Sequence, residues 1–148
     1  MRELPRQLSA DELAELFGGR TRVVQRLEGH EDPLGAARDV LGEAPEEEQI
    51  EALNAHPPIG ARRLAGHSAL EQGTDDDPAL RTTLAYLNEV YEEKFGFRFL
   101  VFVNRRPKAE IVTVLEERLA RTREKELETA LDELVAIARD RWESGATA

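Results

Sequence analysis

Apolar residues recur at three- and four-residue intervals along almost all of this 148-residue chain, which predicts helices. Ser9-Ala10-Asp11-Glu12 has capping-box spacing, and Gly18-Gly19 stops the first helix after Phe17. Short apolar segments follow around Val23, Val24 and Leu27, and over residues 34–41. Pro45 opens another helix, with three glutamates in its positive first turn and Ile50 and Leu53 as apolar contacts. That helix must end before Pro57, because the residue preceding a proline is pushed out of the α region; this residue is His56. The clearest helix starts at Asp77-Pro78, carries Leu80, Leu84, Leu87 and Tyr91 as its core face, and ends at Phe95-Gly96. Arg105-Arg106-Pro107 reads as a turn. Two more helices carry Ile111, Val114, Leu115 and Leu119, then Leu127, Leu131, Leu134, Ile137 and Ala138, with Trp142 anchoring the end.

One stretch breaks the period. Phe97-Arg98-Phe99-Leu100-Val101-Phe102-Val103 is the pattern of a buried strand, yet no partner strand is evident. A lone strand leaves backbone groups unpaired, so the stretch is either a buried extended segment or a short helix. The fold expected is all-α: a single-domain helical bundle over residues 1–148 with a buried extended segment near 97–103.

Charge narrows the partners. The net charge is −10, and residues 28–51 hold nine acidic side chains against Arg38 alone. Such a surface repels phosphate, so neither nucleic acid nor an anionic membrane is an expected partner. No apolar run reaches membrane-spanning length, and the first residues lack a secretory h-region, so a cytoplasmic location is expected. There is no cysteine, which removes disulfides and thiolate chemistry. His30, His56 and His67 do not fall at metal-ligand spacing, and no metal site is expected.

His56 is the first chemical candidate. It lies just past the last carbonyls of a helix, whose partial negative charge favours an imidazolium, and two prolines stiffen the chain behind it. It reads either as a proton-transfer group or as a surface helix C-cap. Glu71 is the second. Ser68-Ala69-Leu70-Glu71 has capping-box spacing, so Glu71 either satisfies the Ser68 N–H or faces His56 across a pocket. Gln72 carries the donor and acceptor that a urea-like group would need.

Taken in order, these motifs resemble the OHCU decarboxylase family, whose members act on 2-oxo-4-hydroxy-4-carboxy-5-ureidoimidazoline in the breakdown of urate to allantoin. The resemblance rests on Leu16-Phe17-Gly18-Gly19, Ala55-His56-Pro57-Pro58-Ile59-Gly60, Ser68 to Gln72, Leu87-Asn88-Glu89-Val90-Tyr91 and Phe95-Gly96-Phe97-Arg98-Phe99. It implies a helical, cofactor-free homodimer acting on a small anionic substrate to give (S)-allantoin. It also implies His56 as proton donor, with Glu71 as its partner. Pro57, Ser68 and Gln72 would contact the substrate, and the backbone of Phe99, Leu100, Val101, Phe102 and Val103 would hold it. The chain departs from the family pattern at Pro58, Arg98 and Gly73-Thr74-Asp75. Two other readings stay open: a lyase for a related ureido acid, and a helical interaction module that docks through the acidic 28–51 face.

Overall fold

Ser9 begins the first helix as its spacing requires. In the computed structural model, which describes residues 7–56, 78–104 and 106–144, its hydroxyl accepts the Glu12 N–H at 3.1 Å. The Glu12 carboxylate accepts the Ser9 N–H in return at 3.1 Å. This box starts α1 (Ala10–Phe17), and Gly18 ends it in the left-handed region at φ +87. Thr21 caps α2 (Arg22–Leu27) on the Val24 N–H, and Asp32 caps α3 (Pro33–Glu43) on the Gly35 N–H, with proline at its first position. Then come α4 (Glu46–Asn54), α5 (Pro78–Phe95), α6 (Lys108–Leu119) and α7 (Arg123–Glu143). There is no strand among the described residues, and the all-α expectation holds.

The chain divides into two units, one of Met1–His56 with Leu131–Ala148 and one of Pro57–Ala130. In the first, Leu13, Leu16, Phe17, Val23, Val24, Leu27, Leu34, Leu41 and Leu53 are buried, as are Leu134, Ala138 and Trp142 from α7. Each fully buried leucine contributes about 1.5–3 kcal/mol relative to an exposed one. α4 differs from its expected pattern. Ile50 is only half-buried, and the inward positions are Glu48, Gln49, Ala52 and Leu53. The two polar side chains are accommodated because each has a fixed partner. Arg26 grips Glu48 through two bonds of 2.6 and 2.9 Å, and Gln49 donates to the Leu41 carbonyl at the end of α3. The Arg26 hydrogen bond holds the Glu48 carboxyl below its ordinary range.

In the second unit, the buried stripe of α5 is Leu84, Asn88, Tyr91 and Phe95, whereas Leu80 and Leu87 lie half-buried at its margins. Asn88 fits inside because its amide donates to the Leu84 carbonyl one turn back. The spacing then changes. Tyr91 and Phe95 meet at helical separation, Gly96 turns the chain at φ +82, and Phe97 and Phe99 return to the same side at the two-residue period of extended chain. The four rings form one cluster, Tyr91 lying 4.6 Å from Phe95, 5.9 Å from Phe97 and 5.2 Å from Phe99. Residues 98–103 take no regular structure and are largely buried, so the extended alternative is the one realised.

Candidate active site

α4 ends at Asn54, and its cap at Ala55 leaves His56 in the bend that precedes Pro57. His56 is no surface cap: only 4% of it is exposed. Its ring lies against the turn that ends α1. A Cβ placed on Gly18 would sit 3.0 Å from His56 Nε2 and 3.2 Å from Cδ2 and Cε1. The ring also bonds to the backbone of Phe17, the last residue of α1. Beside it is Arg141, 4% exposed, whose Nη1 donates to the carbonyls of Glu15 at 3.1 Å and Leu16 at 3.2 Å. The last carbonyls of α1, which no intrahelical N–H can reach, are therefore served by two side chains from distant parts of the chain. The bond to Phe17 also fixes the ring's orientation, which a proton-transferring imidazole needs.

The charge of His56 differs from the expectation of a group poised near neutrality. Burial first, and the positive Arg141 second, pull its pKa from 6.5 down to about 4, against the smaller raising effect of the Phe17 backbone bond. The ring is therefore neutral at neutral pH. The consequence for stability has a definite sign. Between pH 6.5 and about 4 the unfolded chain binds a proton that the folded chain refuses, so stability falls as pH drops through that window. The loss amounts to about 3 kcal/mol at its acid end. We expect His56→Asn to remove this part of the acid sensitivity. Urea midpoints at neutral and at acid pH measure it, and equal acid losses for the two proteins would refute it.

Gly18 is held to glycine twice, by its positive φ and by the ring against it. Gly18→Ala is expected to cost about 1–3 kcal/mol and to displace the imidazole. At Gly19 an added Cβ would meet only Ala55 at an ordinary 3.7 Å, so Gly19→Ala is the control and should stay near wild type in thermal midpoint.

The other expected site residues fall into two groups. Pro57, Ser68, Glu71 and Gln72, together with His67, lie outside the described residues. Phe99, Leu100, Val101 and Val103 are buried and Phe102 is half-buried. The Phe99 ring belongs to the aromatic cluster. Several carbonyls of this stretch are already engaged. Arg118 Nη1 donates to Leu100 at 2.8 Å, while Arg106 donates to Val103 at 3.0 Å and to Phe102 at 2.6 Å. Sequence reasoning missed Arg141, Arg118 and Arg106. An arginine at a helix end or in a turn reads as solvated, and only its partners reveal otherwise. His30 is exposed, as expected. Among the described residues no three His, Asp or Glu side chains converge to hold a metal ion, and no helix is long and apolar enough to cross a membrane.

Comparison with known proteins bears on this geometry. The sequence pattern of the OHCU decarboxylase family matches residues 2–143. A 2-oxo-4-hydroxy-4-carboxy-5-ureidoimidazoline decarboxylase of Halalkalicoccus jeotgali is 36% identical over 113 residues, covering 73% of this chain and 64% of that protein. A protein of the same name from Haloferax volcanii is 33% identical over 108 residues, covering 70% and 64%. The matched stretch thus spans just under two thirds of these relatives. The crystal structure of an OHCU decarboxylase in the presence of (S)-allantoin is similar with a TM-score of 0.76 and 25% identity, covering 93% of this chain and 99% of that one.

Proposed function

We propose that this chain, which belongs to the OHCU decarboxylase family, decarboxylates 2-oxo-4-hydroxy-4-carboxy-5-ureidoimidazoline to (S)-allantoin in urate breakdown. The observation that carries the reading is His56: a buried, oriented imidazole beside a buried arginine, at the His-Pro position of the family motif. Two curated relatives bear the name of this activity, and the structurally similar enzyme was crystallised in the presence of (S)-allantoin.

The reaction asks little of a protein. The bond from the ring carbon to the carboxylate breaks, carbon dioxide leaves, and the electron pair passes into the neighbouring C=N. One proton is taken up overall. Its delivery to a ring carbon from one face gives a single enantiomer. His56 is the donor in this reading. Because the free ring is neutral, it acquires its proton when the anionic substrate arrives and offsets the charge of Arg141. Glu71 orients the substrate or the charged ring, Pro57, Ser68 and Gln72 line the pocket, and the backbone of 99–103 holds the polar edge of the substrate. No cofactor enters this scheme. We expect the chain to form one helical domain over 1–148 and a homodimer in a cytoplasmic setting; light scattering tests the dimer.

The test is circular dichroism of freshly generated substrate. The wild-type protein should speed its decay and leave one allantoin enantiomer. Decay at the uncatalysed rate to a racemate, with the protein folded, would overturn the reading.

A further inference from the structure

Residues 99–103 run through a buried region with no neighbouring strand among the described residues, so their carbonyls and N–H groups must be accounted for one by one. The accounting is lopsided. Three consecutive or near-consecutive carbonyls are taken by guanidinium groups: Leu100 by Arg118, and Phe102 and Val103 by Arg106. The Val103 carbonyl accepts the Arg106 N–H as well, at 3.0 Å. Among the described residues, no N–H of residues 99–103 donates to another backbone carbonyl.

Arg118 is built for this task. It is buried, and its Nε donates at 2.7 Å to Glu126, which is 0% exposed. The same Glu126 oxygen accepts the Tyr91 hydroxyl at 2.7 Å. The guanidinium carbon lies 4.6 Å from the centre of the Phe99 ring. One planar group thus touches the segment at a side chain and at the next carbonyl, and is itself held from behind by an acid and a phenol. Lysine could not reproduce these contacts, since a single ammonium cannot present a flat face to Phe99 and two diverging bonds to Glu126 and Leu100.

We propose that Arg118 and Arg106 are positioning residues that occupy the carbonyls of Leu100, Phe102 and Val103 and so tilt this segment toward hydrogen-bond donation, favouring ligands rich in acceptor oxygens. Such ligands are carboxylates, ketones and ureido carbonyls. The inference rests on the proposed function and deepens it, for it explains why bare main chain serves an anionic substrate in a protein of net charge −10. The positive charge is engaged with the carbonyls of Leu100, Phe102 and Val103, so fewer carbonyls than N–H groups of this segment are left for a ligand.

The experiment is calorimetric titration of the full-length protein with (S)-allantoin, alongside KM and kcat on freshly generated substrate, for wild type, Arg118→Lys and Arg106→Lys. For Arg118→Lys the expected result is a dissociation constant and KM raised about 10–100-fold, with kcat changed far less. Arg106→Lys should move both constants in the same direction by a smaller factor, because Arg106 is half-buried. Thermal midpoints taken on the same samples separate binding from folding. Should Arg118→Lys lower the midpoint yet bind (S)-allantoin as wild type does, Arg118 is structural only and the inference fails while the function stands. Should folded wild-type protein neither bind (S)-allantoin nor turn over substrate, the function fails and takes the inference with it.

Discussion

His56→Asn is expected to lower kcat by about 10²–10⁴-fold, the usual worth of a positioned proton-transfer group, with the helices intact by far-ultraviolet circular dichroism. Asparagine keeps an N–H for the Phe17 backbone but cannot carry a proton to carbon. The pH dependence gives the sharper test. kcat/KM reports the free enzyme, and the free ring takes its proton only near pH 4. If the protonated ring is the donor, kcat/KM falls about tenfold per pH unit as pH rises above that value. kcat, which reports the complex, stays level to a higher pH because the bound anion supports the charge. A kcat/KM that is flat across the same range would assign His56 the opposite role, that of a neutral base.

Glu126→Ala is expected to be the most destabilising single change in the second unit, costing about 3–5 kcal/mol. Its carboxylate is fully buried and serves three groups: the Tyr91 hydroxyl, Arg118 Nε at 2.7 Å and Arg121 Nη1 at 3.2 Å. Removing it leaves the Arg118 charge buried without its anion and the Tyr91 hydroxyl without its acceptor. Glu126→Gln should cost clearly less, because the amide oxygen can still accept from Tyr91 and Arg118. Denaturant midpoints rank the two; a glutamine variant as stable as wild type would mean that the buried ion pair contributes nothing beyond its hydrogen bonds, and an alanine variant as stable as the glutamine one would refute the expected ranking. Tyr91 titrates above its ordinary range, through burial first and the bond to Glu126 second, so it stays a donor at any physiological pH.

What could be read from the sequence is what is decided locally. The Ser9 box, the Gly18 stop, the end of α4 before Pro57 and the change of period at Gly96 each depend on neighbours a few residues away, and each is realised. The polar interior could not be read this way. A hydrophobic pattern assigns charge to solvent, so Glu48, Arg118, Glu126 and Arg141 look like surface positions, and Ile50, Leu80 and Leu87 look more central than they are. Burial of a charged side chain depends on a partner arriving from elsewhere, 22 residues away for Glu48 and Arg26, and 35 for Tyr91 and Glu126. His56 is the telling case. Its place at the end of a helix is legible and suggests a positive ring, but its neutrality comes from enclosure first and from Arg141 second, neither of which the local sequence contains.

The contact that seats Arg141 on Leu16 joins residues 125 positions apart. A ribosome therefore releases the opening helices long before the residues that complete their interior exist. Until then the carbonyls of Glu15 and Leu16 lack the guanidinium that serves them. Unit one must wait in an open, unfinished form while the second unit is synthesised, and closing so large a loop slows folding more than it weakens the finished fold. The enclosure of His56 beside Arg141 is thus complete only after α7 has been made.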